Sequence, residues 1–310
     1  MRSFGTADGA DGADGADGAD GASGSGASGG GVSALTHPIG VSPALQKLAN
    51  EDWFRGNKWP PADLVAPFAN TGATKFPPSA WTAFNFSIVV LGEFVQVPGW
   101  DQFNLQAVAP IPTGLALQGE LDELQTLVDY RQGVMTEALA QRDNISAYWA
   151  GLLMYNKFSH PATNRLAQIA LRVGQFQAMH YKFHPSANAL GPALLPRPRP
   201  SQLSPSLMPP IDVPGHASYP SGHATESYLL SGILARVMPA AASAQTNPAD
   251  PDSTPLRRLA ERVARNREVL GLHYPSDSKA GKYLGDQTLA LLLLCPSVAG
   301  LIPVAQAEWQ

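Results

Sequence analysis

From Leu117 onward the apolar positions recur at intervals of three and four, the spacing of helices with one face in a core. Leu121, Leu124, Leu127, Val128 and Val134 open the pattern. A second helix is expected over Ile145 to Tyr155. A third is expected from Pro161 to about Phe183, with Leu166, Ile169, Ala170, Val173 and Phe176 as its stripe. The apolar run Tyr228 to Val237 follows Pro220-Ser221-Gly222, a helix-entry signal, so a central helix is expected to start near Ser221. Leu256, Leu259, Val263 and Leu270 predict a further helix over Pro255 to Leu270, with arginines on its other side and Gly271 as its stop. A last helix is expected from Asp277 to Leu294.

The intervening stretches read differently. Residues 32–118 are rich in proline and aromatics, including Trp53, Trp59, Trp81 and Trp100, and predict short helices and loops packed over the main domain. The apolar run Phe86 to Val97 is expected to hold a short strand or hairpin. Residues 185–214 contain nine prolines, which argues against a helix and for an extended, pre-set loop. At the N-terminus, residues 7–21 repeat Ala-Asp-Gly five times and Ser/Gly-rich sequence runs on to Gly31. Five triplets without proline cannot hold a collagen helix, so residues 1–31 are expected to be a disordered tail before one domain over 32–310.

With 310 residues, 44% hydrophobic and 15% charged, the chain has enough apolar sequence for a sizeable core. The formal charge of −4 comes largely from the tail, which holds five Asp and one Arg; the remainder carries 20 acidic and 20 basic residues. That balance gives no sign of a nucleic-acid groove or a polybasic membrane patch. A single cysteine, Cys295, allows no intrachain disulfide and sits in an apolar run as inert core. The first residues lack the apolar stretch of a signal peptide, and the segment Thr288 to Val304 is interrupted by Pro296 and Pro303. No transmembrane helix is therefore expected, and a cytoplasmic setting is.

The candidate chemistry lies between these helices. A helix starting at Ser221 presents backbone N–H groups and the positive end of its dipole, a setting for an anion. Gly222 lets the backbone approach closely, Ser221 adds a hydroxyl, and His223 brings a group that exchanges a proton near neutral pH. A second cluster is Arg267, His273 and Asp277. On an unbroken helix, residues 267 and 273 would point about 240° apart. A break at Gly271 and Pro275 can turn both toward one point, while the spacing of 273 and 277 suits a carboxylate holding a ring nitrogen. No zinc motif of the HExxH or Cys/His type is present.

Taken with Lys182 and Arg197-Pro198-Arg199-Pro200, these residues resemble the three-part signature of a superfamily. It unites type-2 phosphatidic acid phosphatases, class A bacterial acid phosphatases and vanadium haloperoxidases. Pro220-Ser-Gly-His223 and Arg267, His273, Asp277 match its second and third parts in full. The first part departs from it: Lys182 and Arg199 are seventeen apart where the family has seven, and an insertion over about 185–194 restores the match. The resemblance implies an all-α helical bundle and is most similar to soluble bacterial members grouped with the phosphatases. It implies a metal-independent hydrolysis of phosphate esters or anhydrides through a phosphohistidine. His273 would be the nucleophile, Asp277 its partner, and His223 the general acid and base. Lys182, Arg199, Ser221, Gly222 and Arg267 would hold the phosphoryl group, with Arg197 and His216 as accessory residues. The other branch implies a haloperoxidase that oxidises halide with hydrogen peroxide on vanadate bound to His273. His216, seven positions before His223, is similar to the bromoperoxidase arrangement.

Overall fold

The computed structural model of the protein describes residues 81–184 and 196–310. The expectations for the tail, for residues 32–80 and for the insertion after Lys182 lie outside the described residues. Helix α1, Ala83–Phe94, buries Phe86, Val90 and Phe94, positions four apart, and leaves Ile88 and Val89 exposed. It replaces the strand or hairpin expected in that run. An apolar run fits either state; here a long neighbouring helix offers a surface that a stripe spaced by four can cover. Helix α2, Gly114–Leu127, passes through a 3-10 turn, Val128–Tyr130, into α3, Arg131–Asp143. Helix α4, Ile145–Leu153, starts where the Asn144 side chain accepts the Ala147 N–H at 2.7 Å.

Helix α5, Pro161–Phe183, matches its expected bounds. Proline suits its first position, where the missing N–H would have no intrahelical partner. The next two N–H groups, of Ala162 and Thr163, donate to the Glu308 carboxylate at 2.6 and 2.9 Å. The proline-rich stretch that follows does contain a helical turn, Pro200–Leu203, and a 3-10 turn, Pro205–Leu207, correcting the reading of an extended loop. Each starts on a proline, whose fixed φ favours a helical first residue even though it cannot continue a helix.

Helix α6, Gly222–Leu234, lies at the centre; all its residues except Gly232 are buried. It packs against α5, against α7, Pro255–Val269, and most extensively against α8, Pro275–Leu292; α9, Pro296–Ala307, closes the core beside α5. Leu229, Leu230, Ile233 and Leu234 anchor α6, each burial contributing about 1.5–3 kcal/mol. Polar residues on the same helix, His223, Thr225, Glu226 and Ser227, are equally buried. Close approach depends on glycine. A Cβ at Gly281 would lie 2.6 Å from the Ser221 carbonyl oxygen, and one at Gly285 would lie 2.7 Å from that of Thr225. Among the described residues there is no strand. No single described helix is long and apolar enough to cross a membrane; α8 and α9 together reach that length and composition but meet at 93°.

Candidate active site

Two chain segments meet at Asp277. The Ser221 N–H donates to the Asp277 carbonyl at 3.0 Å, and the Ser218 hydroxyl donates to the Asp277 carboxylate. The entry to α6 is thus fastened to the entry to α8. Asp277 is the third residue of α8, behind Pro275 at its first, and its Oδ2 accepts the Tyr274 N–H at 3.0 Å. This is the carboxylate half of a capping box, which favours an anion at a helix start.

His273 reaches the same point through the end of α7. The Gly271 N–H donates to the Glu268 carbonyl at 2.8 Å and the Leu272 N–H to the Arg267 carbonyl at 3.0 Å, with Gly271 at φ +74°. This paired arrangement reverses the chain after a helix and needs the left-handed backbone that glycine adopts freely. His273 then sits with Nδ1 at 3.2 Å from Asp277 Oδ2. With the carboxylate ionised, Nδ1 holds the ring proton and donates it to Asp277, leaving Nε2 with its lone pair. Arg199 Nη1 stands 3.1 Å from that Nε2 and also donates to the Leu272 carbonyl at 3.0 Å. His216 is drawn in by the same guanidinium: Arg199 Nε donates to its carbonyl at 3.1 Å and Nη2 lies 3.1 Å from its Nδ1.

His273 and Asp277 are fully buried, with Lys182, Arg197 and Arg199 buried beside them and His216 half-buried. Burial is the largest influence on His273 and lowers its pKa to about 3; the Arg199 and Lys182 charges lower it too, against the pull of Asp277. For Asp277, burial works against ionisation, but Arg197, His273 and the Ser218 hydroxyl outweigh it and hold the carboxyl well below its usual range. The pair is therefore a neutral imidazole on a carboxylate at neutral pH.

Lys182, at the end of α5, donates through Nζ to the carbonyls of Ala217 and Ser218 at 2.7 and 3.1 Å, holding the loop that leads into α6. His223 is the second residue of α6 and 1% exposed. Ser221 is the cap of that helix, its Oγ accepting the Ala224 N–H at 3.4 Å. Because the Ser221 N–H is taken by Asp277, the donors that α6 offers an anion begin at Gly222, not at Ser221 as the sequence suggested. Arg267, fully buried, donates through Nη2 to the Ala138 carbonyl of α3 at 2.5 Å. Arg197 grips Asp277 Oδ1 at 2.5 Å and Glu120 Oε2 at 2.9 Å.

Sequence reasoning missed Glu120, Ser218, Tyr274 and Ser276. Asp277 as third residue behind Tyr-Pro-Ser carried a capping signal that points to the Tyr274 N–H. Glu120 carried none; it is one of several acidic residues on α2, and 156 positions separate it from Ser276. Cys295 is buried as expected, its thiol raised to about 11 by burial. Among the described residues no three His, Cys, Asp or Glu side chains are grouped as a metal ion would need.

No family model matches the chain. The chain is similar to decaprenylphosphoryl-5-phosphoribose phosphatase of Mycolicibacterium smegmatis, with 29% identity over 160 residues that cover 51% of this chain and 77% of that protein.

Proposed function

We propose that this protein is a phosphatase acting on a small-molecule phosphate ester or anhydride, with His273 as nucleophile. The observation that carries the reading is the buried pair at 3.2 Å, Asp277 holding Nδ1 while Arg199 stands 3.1 Å from Nε2. A neutral ring whose reacting nitrogen faces a guanidinium suits attack on an anionic phosphorus centre. The similarity to a protein named as a phosphatase supports the same class.

In the proposed reaction, the His273 Nε2 lone pair forms a bond to phosphorus while the bond to the leaving oxygen breaks. Asp277 stabilises the ring cation that results, without taking its proton. Arg199 turns its donors to the phosphoryl oxygens, with Lys182, Arg267, the N–H groups at the start of α6 and the Ser221 hydroxyl as further charge and dipole. Each such contact contributes about 3–4 kcal/mol to the transition state, by analogy with oxyanion donors. Protonated His223 gives its proton to the leaving oxygen. It then takes one from water, which attacks phosphorus, breaks the bond to Nε2 and releases phosphate. General acid and base help of this kind contributes about 10²–10⁴-fold. No step in this scheme draws on a metal ion.

One observation favours a second reading: His216, the residue similar to the bromoperoxidase arrangement, is held against Arg199 in the same cluster. A buried site with basic donors around one imidazole also fits vanadate, whose geometry imitates a phosphoryl group in transfer.

The test compares hydrolysis of a chromogenic phosphate monoester with bromide-dependent halogenation in the presence of vanadate and peroxide. Hydrolysis lost on replacing His273 by Ala, together with an acid-labile phosphoryl adduct trapped on the parent chain but absent from His273→Ala, is the expected result. Halogenation without hydrolysis would replace it by the second reading, and neither activity would overturn both.

A further inference from the structure

The two arginines of the proline-rich stretch do different things. Arg199 addresses the reacting end of the imidazole. Arg197, two residues earlier, addresses the far end of the pair, and its donors are committed there: Nη1 to Asp277 Oδ1 at 2.5 Å and Ser276 Oγ at 2.7 Å, Nη2 to Glu120 Oε2 at 2.9 Å. Its flat face lies on the Tyr274 ring at 3.7 Å. Glu120 closes the arrangement, accepting the Ser276 N–H at 2.7 Å through Oε1 and the Ser276 hydroxyl at 2.9 Å through Oε2. Since the Ser276 N–H belongs to the first turn of α8, one carboxylate clasps both that helix start and Arg197.

We infer that Arg197 and Glu120 are positioning residues that hold the Asp277 carboxylate, and through it the His273 ring, rather than ligands of the phosphoryl group. The assignment rests on the phosphatase reading for what the ring does, but the placement of Arg197 does not. A guanidinium 3% exposed and wedged between two carboxylates is satisfied where it stands; leaving to bind a substrate would strand two buried or half-buried anions. An uncompensated Asp277 would draw a proton onto His273, filling the lone pair that the reaction needs. Arg197 prevents this by cancelling much of the carboxylate's charge through Oδ1, while Oδ2, which also accepts from Ser218 and the Tyr274 N–H, orients the ring. Glu120 in turn keeps Arg197 from collapsing wholly onto Asp277. The charged and titratable groups around the pair are Arg197, Arg199, Lys182, Glu120, His216, Tyr219 and Tyr274, and α6, fastened to Asp277 through Ser221, carries His223 on its first turn.

The test uses the full chain labelled with 15N-histidine, in parent, Arg197→Gln and Glu120→Gln forms. Imidazole titration by NMR is read beside steady-state kinetics on a chromogenic ester, with inorganic phosphate as competing inhibitor. Arg197→Gln is expected to raise the His273 midpoint by about 1–3 pH units, the effect of removing a charge at this range. It is also expected to lower kcat by about 10–100-fold through misplacement of the ring. Phosphate inhibition should stay within about threefold of the parent, since the ligands of the anion are untouched. Glu120→Gln, which keeps the side chain's size but replaces one accepting oxygen with an N–H donor facing Arg197 or Ser276, serves as a second variant should Arg197→Gln fail to fold, and should lower kcat with the same unchanged inhibition. Phosphate inhibition weakened tenfold or more with the His273 midpoint unmoved would make Arg197 a phosphate ligand and overturn the assignment. If the parent chain hydrolyses no ester, the phosphatase reading fails, and the NMR midpoint alone still decides: no shift in Arg197→Gln sinks the positioning role.

Discussion

At His273 the burial that makes protonation costly also preserves the nucleophile. A ring with a pKa of about 3 stays neutral through the physiological range, and Asp277 fixes which nitrogen keeps its lone pair. Replacing Asp277 by Asn removes the anion that stabilises the ring cation, and kcat on a phosphate ester should fall by about 10²–10⁴-fold. Because the amide still fills the site, phosphate inhibition should move far less, so kcat and the inhibition constant measured on one preparation check the prediction. Arg199→Lys keeps the charge but loses the planar fork that meets Nε2, the Leu272 carbonyl and His216 together. Both kcat and phosphate inhibition should weaken in steady-state kinetics, whereas Arg197→Gln is expected to lower kcat alone.

Among the elements, the pairing of α6 and α8 decides whether the site exists. Gly281 lies one turn beyond Asp277, and a methyl there would meet the Ser221 carbonyl at 2.6 Å and Ala224 Cβ at 2.8 Å. Gly281→Ala should destabilise the protein by about 1–3 kcal/mol, as overpacking does, and reduce activity further than stability by parting Ser221 from Asp277. Thermal unfolding and kcat measured together separate the two effects. Gly133 in α3 makes the opposite case: a Cβ there meets nothing within 4 Å, and Gly133→Ala should stabilise by about 0.5–1 kcal/mol through helix propensity alone.

For the molecule as a whole, the buried pair ties stability to pH. The folded-state pKa of His273 lies below its unfolded value, so the unfolded chain takes up a proton first as pH falls from about 6.5 toward 3. Asp277 is also depressed, and it adds a loss in the same direction below the ordinary carboxylate range. The unfolding free energy should therefore decrease on acidification, by at most about 1.4 kcal/mol per pH unit for each proton. Thermal melts from pH 8 to 4 should show this fall, and His273→Gln should flatten its upper part. Inorganic phosphate at 100 times its dissociation constant should raise stability by about 2.7 kcal/mol, an effect expected to vanish when Arg199 and Lys182 are both replaced by Ala.

Most helices were legible from the chain alone because their signals are local. Proline at the first position of α5 and of α7, and Gly271 after α7, each act within one turn, as does the spacing of apolar side chains. The run over α1 was not legible, since an unbroken apolar segment takes the form its neighbour can cover. The proximity of residues 273 and 277 followed from spacing. What the folded chain alone decided is which arginine meets which end of that pair, that Ser221 spends its N–H on Asp277, and that Glu120 joins from another helix. These contacts link positions 56 to 156 apart. Such pairings depend on how helix faces stack and how closely glycines let them approach, quantities that no local pattern of residue types encodes.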